Sequence, residues 1–206
     1  MQKPSPSIEE IFGSPGRIAI LRVLVTAPGP LTGRQVAELA GLTQAGAARA
    51  LDRLGALGVT SRQRVGRAVT HVLERENIAV RTIVLPAFEG ESGLGTVLRE
   101  ELAAVLGPLG LSVVLFGSVA RGQADPGSDV DVLLVVADVD AGIRPDAAVA
   151  DWQPTFARRF AIPVSVLIKT PTELAAARST PLVRAILRDG ELLAGSPLDD
   201  VMGTSG

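Results

Sequence analysis

Residues 113–136 read VVLFGSVARGQADPGSDVDVLLVV, and the order of residue types in this stretch decides the fold of the C-terminal half. An apolar run, Val113-Val114-Leu115-Phe116, enters Gly117-Ser118. One helical turn, Val119-Ala120-Arg121, and Gly122 follow, and a polar loop leads to Ser128-Asp129-Val130-Asp131 at the head of a second apolar run. Runs this short and this rich in Val and Leu suit buried strands. Gly117 lets backbone N–H groups approach a phosphate closely, and Ser118 adds a hydroxyl donor. The helix start behind them is an anion site by geometry and dipole. Asp129 and Asp131 stand two apart on an extended segment, so both carboxylates project from one face. Two carboxylates facing a phosphate-binding turn make a hard-oxygen site suited to Mg²⁺.

On Gly117, Ser118, Ala120, Arg121, Gly122, Ser128, Asp129 and Asp131 the stretch resembles the nucleotidyltransferases of the DNA polymerase beta superfamily, above all the minimal members. The resemblance covers roughly residues 95–195. It implies a fold with a small mixed sheet flanked by helices, and transfer of a nucleoside monophosphate from a nucleoside triphosphate with release of pyrophosphate. It places Gly117 and Ser118 on the β- and γ-phosphates, with Arg121 and Ser128 in the nucleotide-binding set. Asp129 and Asp131 become the catalytic Mg²⁺ ligands, with room for a second metal. Arg121 keeps two readings, contact with loop or phosphate and a structural salt bridge. The family usually adds a third carboxylate on the next strand, which here is Pro163–Ile168, and the matching position is Ser165. A serine is neither an anionic ligand nor a general base at neutral pH. Three alternatives follow: Asp151 or Asp138 substitutes, two carboxylates work more slowly, or the domain binds nucleotide without turnover. Minimal nucleotidyltransferases also occur in toxin–antitoxin pairs, which keeps that role open.

Around this motif the second half alternates. Strands are predicted at 112–116, 130–136 and 163–168, with a last short one at 191–194. Helices are predicted at 145–160, with Val149, Trp152 and Phe156 on one face, from Thr170 or Thr172 to Arg178, and from Pro181 to Gly190. Trp152 is read as core and the tail after Gly195 as loose.

The first half reads differently. Helical periodicity begins near Ile8, and Pro15 opens a stripe of Ile18, Leu21, Leu24 and Val25. Thr32 caps a short helix with Val36, Leu39 and Ala40 inward. Thr43 caps a third, Gln44 to Leu57, with Ala47, Ala50, Leu51 and Leu54 inward. Two extended runs, 59–65 and 68–73, flank Gly66-Arg67 as a hairpin. Residues 14–75 thereby resemble winged helix-turn-helix regulators of the MarR and ArsR kind. That resemblance implies DNA binding through Thr43, Gln44, Arg49 and Arg53 of the recognition helix and through Arg62, Arg64 and Arg67 of the wing, in a chain that pairs as a homodimer on two-fold operators. A protein interface is the competing use of such a module, since Ala45, Gly46 and Ala48 leave few base-reading side chains. His71 is read as a packing or surface residue of the wing strand.

The expected class is therefore α+β: a winged helix-turn-helix domain at 8–76, a helical connector at 77–107 interrupted by Pro86 and by Gly90–Gly95, and a nucleotidyltransferase domain at 108–195. Composition agrees. The chain has no cysteine and one histidine, which excludes disulfides, thiol nucleophiles and multi-histidine zinc sites and leaves oxygen ligands. The net charge of −2 hides a split, with 11 Lys+Arg against 6 Asp+Glu in residues 1–83 and 9 against 16 in residues 84–206. A basic half fits nucleic acid. No apolar run has membrane length and the N-terminus lacks a secretory pattern, so no membrane partner and a cytoplasmic location are expected. The rival function is a DNA-binding regulator whose second domain senses nucleotide or has lost catalysis.

Overall fold

The computed structural model describes residues 6–66, 68–125, 127–137 and 145–203. They form two compact units that divide between Leu94 and Gly95. No helix among the described residues is long and apolar enough to cross a membrane.

The first unit holds α1 (Ile8–Phe12), α2 (Pro15–Thr26), β1 (Leu31–Thr32), α3 (Gly33–Leu39), α4 (Gln44–Ala56), β2 (Thr60–Val65) and β3 (Ala68–Leu73). Each helix starts on a hydroxyl. Ser7, Ser14, Thr32 and Thr43 accept the backbone N–H of the residue three further on, in the geometry expected of Thr32 and Thr43. Each such cap contributes about 1 kcal/mol. Ile20, Leu21 and Leu24 of α2 pack on Val36 and Ala37 of α3 and on Ala47, Leu51 and Leu54 of α4. Leu39, expected inward, is 64 % exposed. The buried stripe of α3 runs through Val36 and Ala37, and Leu39 lies about 200° beyond Ala37. The two long strands pair antiparallel from Thr60↔Leu73 to Val65↔Ala68. On the other side of β3, β1 pairs Leu31 with His71, completing the order β1-β3-β2.

The interruption expected between residues 76 and 106 is smaller than predicted. A π turn, Val80–Val84, ends where Pro86 removes a donor, and α5 (Leu85–Leu106) then runs unbroken through Gly90, Gly93 and Gly95. Glycine costs about 1 kcal/mol in a helix interior. Burial of Leu98, Leu102 and Leu106 in its later turns outweighs that cost.

The second unit is built on one mixed sheet ordered β6-β5-β4-β7, from β4 (Ser112–Phe116), β5 (Val130–Val135), β6 (Val164–Lys169) and β7 (Glu191–Gly195). β4 is antiparallel to β5 and β7, whereas β5 and β6 are parallel. A parallel pair needs a crossover, and α7 (Asp146–Phe160) lies between them in sequence. Both faces are covered, which is why the strands read as continuous apolar runs rather than alternating ones. On one face Val113, Leu115, Val130, Val132 and Leu134 meet Leu98, Leu102 and Leu106 of α5 and Val149 and Phe156 of α7. On the other, Val114, Leu133 and Val135 meet Leu174 of α8 (Pro171–Ala176), Val183 and Ile186 of α9 (Pro181–Asp189), and Leu198 of α10 (Leu198–Val201). Thr170, not Thr172, caps α8. The segment after Gly195, expected loose, instead turns into α10, because Leu198 has a place in this second layer. Between β4 and β5 lies α6, a single turn over Gly117–Ala120.

Candidate functional site

The sheet register brings the motif together. Phe116, the last residue of β4, pairs with Asp131, and Asp131 pairs with Ser165 on β6. Strand alternation sends Val130 into the α5/α7 layer and Asp131 to the opposite face, at the open end of the sheet. Asp129, on the loop two residues earlier, is exposed, and the Val130 N–H donates to the Pro163 carbonyl at 2.9 Å, which fixes the entry of β5 beside β6.

Gly117 is the hinge of the site. Its φ of +78° is a left-handed conformation, and a Cβ there would drive into the Asp131 carboxylate. The Asp131 side chain therefore lies against the bare Cα of Gly117. The first N–H groups of a helix have no intrahelical partner, and no side chain caps α6. The helix dipole expected there contributes little, because α6 is only four residues long; the available donors are its N–H groups and the Ser118 hydroxyl. Burial, and after it the neighbouring Asp129 charge, pushes the Asp131 carboxyl above its ordinary value. Two carboxylates are thus held close enough to repel, against a set of N–H donors.

Ser128 closes the intervening loop. Its oxygen accepts the Asp125 N–H and its own N–H donates to the Asp125 carbonyl, both at 2.9 Å. The Arg121 Nε donates to Gln123 Oε1 at 3.2 Å, and the Arg121 charge, after the closer Arg188, helps hold the Asp189 carboxyl low. Asp189 and Gln123 were not foreseen. Asp189 ends α9, 68 residues from Arg121, and no local pattern links the two.

The register also locates Ser165, the residue expected at the third-carboxylate position. Ser165 stands beside Asp131, on the same face, exposed, and offers a hydroxyl. Asp151 does not replace it. Two residues beyond the buried Val149, it points to the outer side of α7, and no cluster of three acid or histidine side chains able to hold a metal occurs among the described residues. Asp138 lies outside the described residues.

In the first unit Gln44 and Arg49 are exposed on α4 and Arg64 on β2. Thr43 spends its oxygen on the α4 cap. Arg53 pairs with Glu10 at 3.2 Å, and Arg62 pairs with Asp52. Arg67 lies outside the described residues. His71 is buried, and Trp152 packs on Phe156 with ring centroids 5.1 Å apart, as a core residue does.

Residues 97–188 match the family model described as a nucleotidyltransferase domain. No curated protein matches the chain. Several solved structures resemble part of it. A toxin–antitoxin with AMP-PNP is 22 % identical over 50 % of this chain and 76 % of its own, with a TM-score of 0.35. A mutant of the toxin–antitoxin MntA–HpeT is 19 % identical over 52 % of this chain and 76 % of its own, also at 0.35.

Proposed function

We propose that the second unit binds a nucleoside triphosphate with Mg²⁺ and transfers its nucleotidyl group to an acceptor hydroxyl, while residues 8–76 form a winged helix-turn-helix that docks on DNA. The observation that carries the first part is the Asp131 carboxylate packed against Gly117, with Asp129 two residues away, inside the stretch matched by the nucleotidyltransferase family.

The donor set fits one Mg²⁺. That ion takes one or two carboxylates and completes its octahedron with water and phosphate oxygens. Asp129 and Asp131 supply the carboxylates, and a cation would offset the burial and, after it, the Asp129 repulsion that raise the Asp131 carboxyl. When bound, Mg²⁺ supplies charge neutralisation to the triphosphate. The chain's own residues do the rest. The N–H groups of α6 and the Ser118 hydroxyl donate to the outer phosphates and hold the pyrophosphate leaving group. Arg121, tied to Gln123 and facing Asp189, fixes the end of that turn. The acceptor oxygen bonds to the α-phosphorus as the bridge to the β-phosphate breaks. Position 165 offers no carboxylate for the acceptor proton, which leaves to solvent, and turnover is slow.

Calorimetry with ATP, GTP, CTP and UTP, with and without Mg²⁺, tests this reading. Mg²⁺-dependent binding of at least one, lost in Asp129→Asn and Asp131→Asn, supports it; no binding, or variants identical to wild type, ends it. A second reading, nucleotide sensing without transfer, is favoured by Ser165 and is separated by assaying pyrophosphate release.

The DNA part rests on the capped helices α2, α3 and α4 followed by the β2–β3 hairpin, with Gln44, Arg49 and Arg64 exposed. A homodimer on a two-fold operator belongs with it. A gel shift against the chain's own upstream region at stated salt is its test; wild-type binding no tighter than to unrelated duplex would remove it.

A further inference from the structure

We propose that the cleft of about 260 Å³ between α3, α4 and the β2–β3 hairpin is a phosphate site, with Arg34, Arg62 and His71 as its donors. His71 carries the argument. It is only 7 % exposed, yet it makes no hydrogen bond to any described residue, an unusual state for a buried imidazole. Its ring nitrogens are not sealed in the core but open onto the cleft, with Nε2 turned toward Gly33 at the start of α3. Next to Gly33, Arg34 is exposed and forms no ion pair with a described residue, and the Gln44 side chain, on the α4 wall, makes no hydrogen bond to one. Arg62 stands directly opposite His71 in the β2–β3 register and gives part of its guanidinium to Asp52, leaving further N–H groups for an anion. Two guanidinium groups, an imidazole and an amide therefore converge on one small volume, and Asp52, outside its lining, reaches it only through its pair with Arg62. Burial, and after it the Arg62 charge, lowers the His71 pKa, with Asp52 opposing, so both favour the neutral ring and a bound anion would favour the charged one.

The shared ligand chemistry is a phosphate oxyanion, from either a DNA backbone or a free phosphorylated molecule. The site stands without the DNA reading, and the test separates the two. The chain has one histidine, so its ring gives a single set of NMR signals. Inorganic phosphate titrated into the full chain, against chloride at equal ionic strength, should shift those signals saturably and raise the apparent His71 pKa by about one unit. Exposed Arg34→Ala should weaken the response at least tenfold, and Asp52→Asn, which frees Arg62, should strengthen it. A response equal to that of chloride, or unchanged in Arg34→Ala, overturns the proposal. Duplex DNA is the second arm. The same shift with duplex, competed by phosphate, assigns the site to the backbone; a phosphate response with no duplex response assigns it to a free ligand. Loss of duplex binding with the phosphate response intact removes the DNA reading and keeps the site, and duplex binding with a silent His71 removes the site and keeps the reading.

Discussion

Gly117→Ala, measured beside Gly122→Ala, isolates the contact on which the proposed nucleotide site rests. Both glycines are left-handed, at φ +78° and +65°, so alanine costs roughly 1–2 kcal/mol of backbone strain at either position. They differ in what surrounds the new methyl. At 122 nothing lies within 4 Å. At 117 the methyl meets the Asp131 carboxylate, and Cγ and Cβ of Asp131 stand at 3.2 and 3.3 Å. A Cβ belongs to the strand and cannot rotate away, so either β5 shifts or the carboxylate leaves the turn. Gly122→Ala should therefore cost about 1 kcal/mol and lower the second unit's melting temperature by about 4 °C. Gly117→Ala should cost about 3 kcal/mol, from strain and overpacking together, and lower it by about 10 °C. In calorimetry with ATP and Mg²⁺, Gly122→Ala should keep affinity within about twofold, and Gly117→Ala should lose at least tenfold, about 1.4 kcal/mol. Equal melting shifts and equal affinities for the two variants would refute the reasoning, because the strain is common to both.

Four further outcomes follow from the same geometry. Ser165→Asp should add a general base beside Asp131 and raise pyrophosphate release by about a hundredfold in a coupled assay; an unchanged rate denies the position that role. Asp131→Asn should abolish Mg²⁺-dependent nucleotide binding and yet raise the melting temperature of the free protein at pH 7. The Asp131 pKa is raised in the fold, so its destabilisation is complete above the folded pKa and disappears as pH falls below the ordinary carboxylate value. The His71 pKa is lowered in the fold, so the first unit should lose stability as pH falls below about 6.5, the unfolded value, and His71→Gln should flatten that dependence in thermal melts. In gel shifts, Arg49→Ala should weaken DNA binding about tenfold, and Arg53→Ala less, since Arg53 is engaged with Glu10.

Legibility in the sequence followed the range of the forces involved. Helix starts were readable because a cap is a local bond: Thr32 and Thr43 reach N–H groups only three residues on. The four strands of the second unit were readable because a sheet covered on both faces leaves long apolar runs. What escaped was set by distant partners. β1 is two residues long and exists because β3 lies beside it; no periodicity can announce it. The segment 197–201 has few apolar residues, and it is ordered by the place Leu198 finds against Val114 and Leu133. The glycines of α5 signalled a break, and burial elsewhere along the helix overrode them. In the candidate site, the approach of Gly117, Asp129 and Asp131 was legible from spacing, while the influence of the Arg121 charge on Asp189 was not.

Position 165 shows how the two kinds of information combine. The sequence marks it only as the second residue of an apolar run after Pro163. The parallel register gives it meaning, because Val130↔Val164 forces Asp131↔Ser165 and the same alternation that buries Val164 turns Ser165 to the side of Asp131. A slip by one residue would present Val164 or Val166 there instead and bury the serine. The Val130 N–H bond to the Pro163 carbonyl forbids that slip. The Ser165 hydroxyl is therefore held beside Asp131, at the position where the proposed site would take a third carboxylate. On the proposed reading, nucleotide affinity should rest on Gly117, Ser118 and the two carboxylates, and the rate of turnover on what stands at 165.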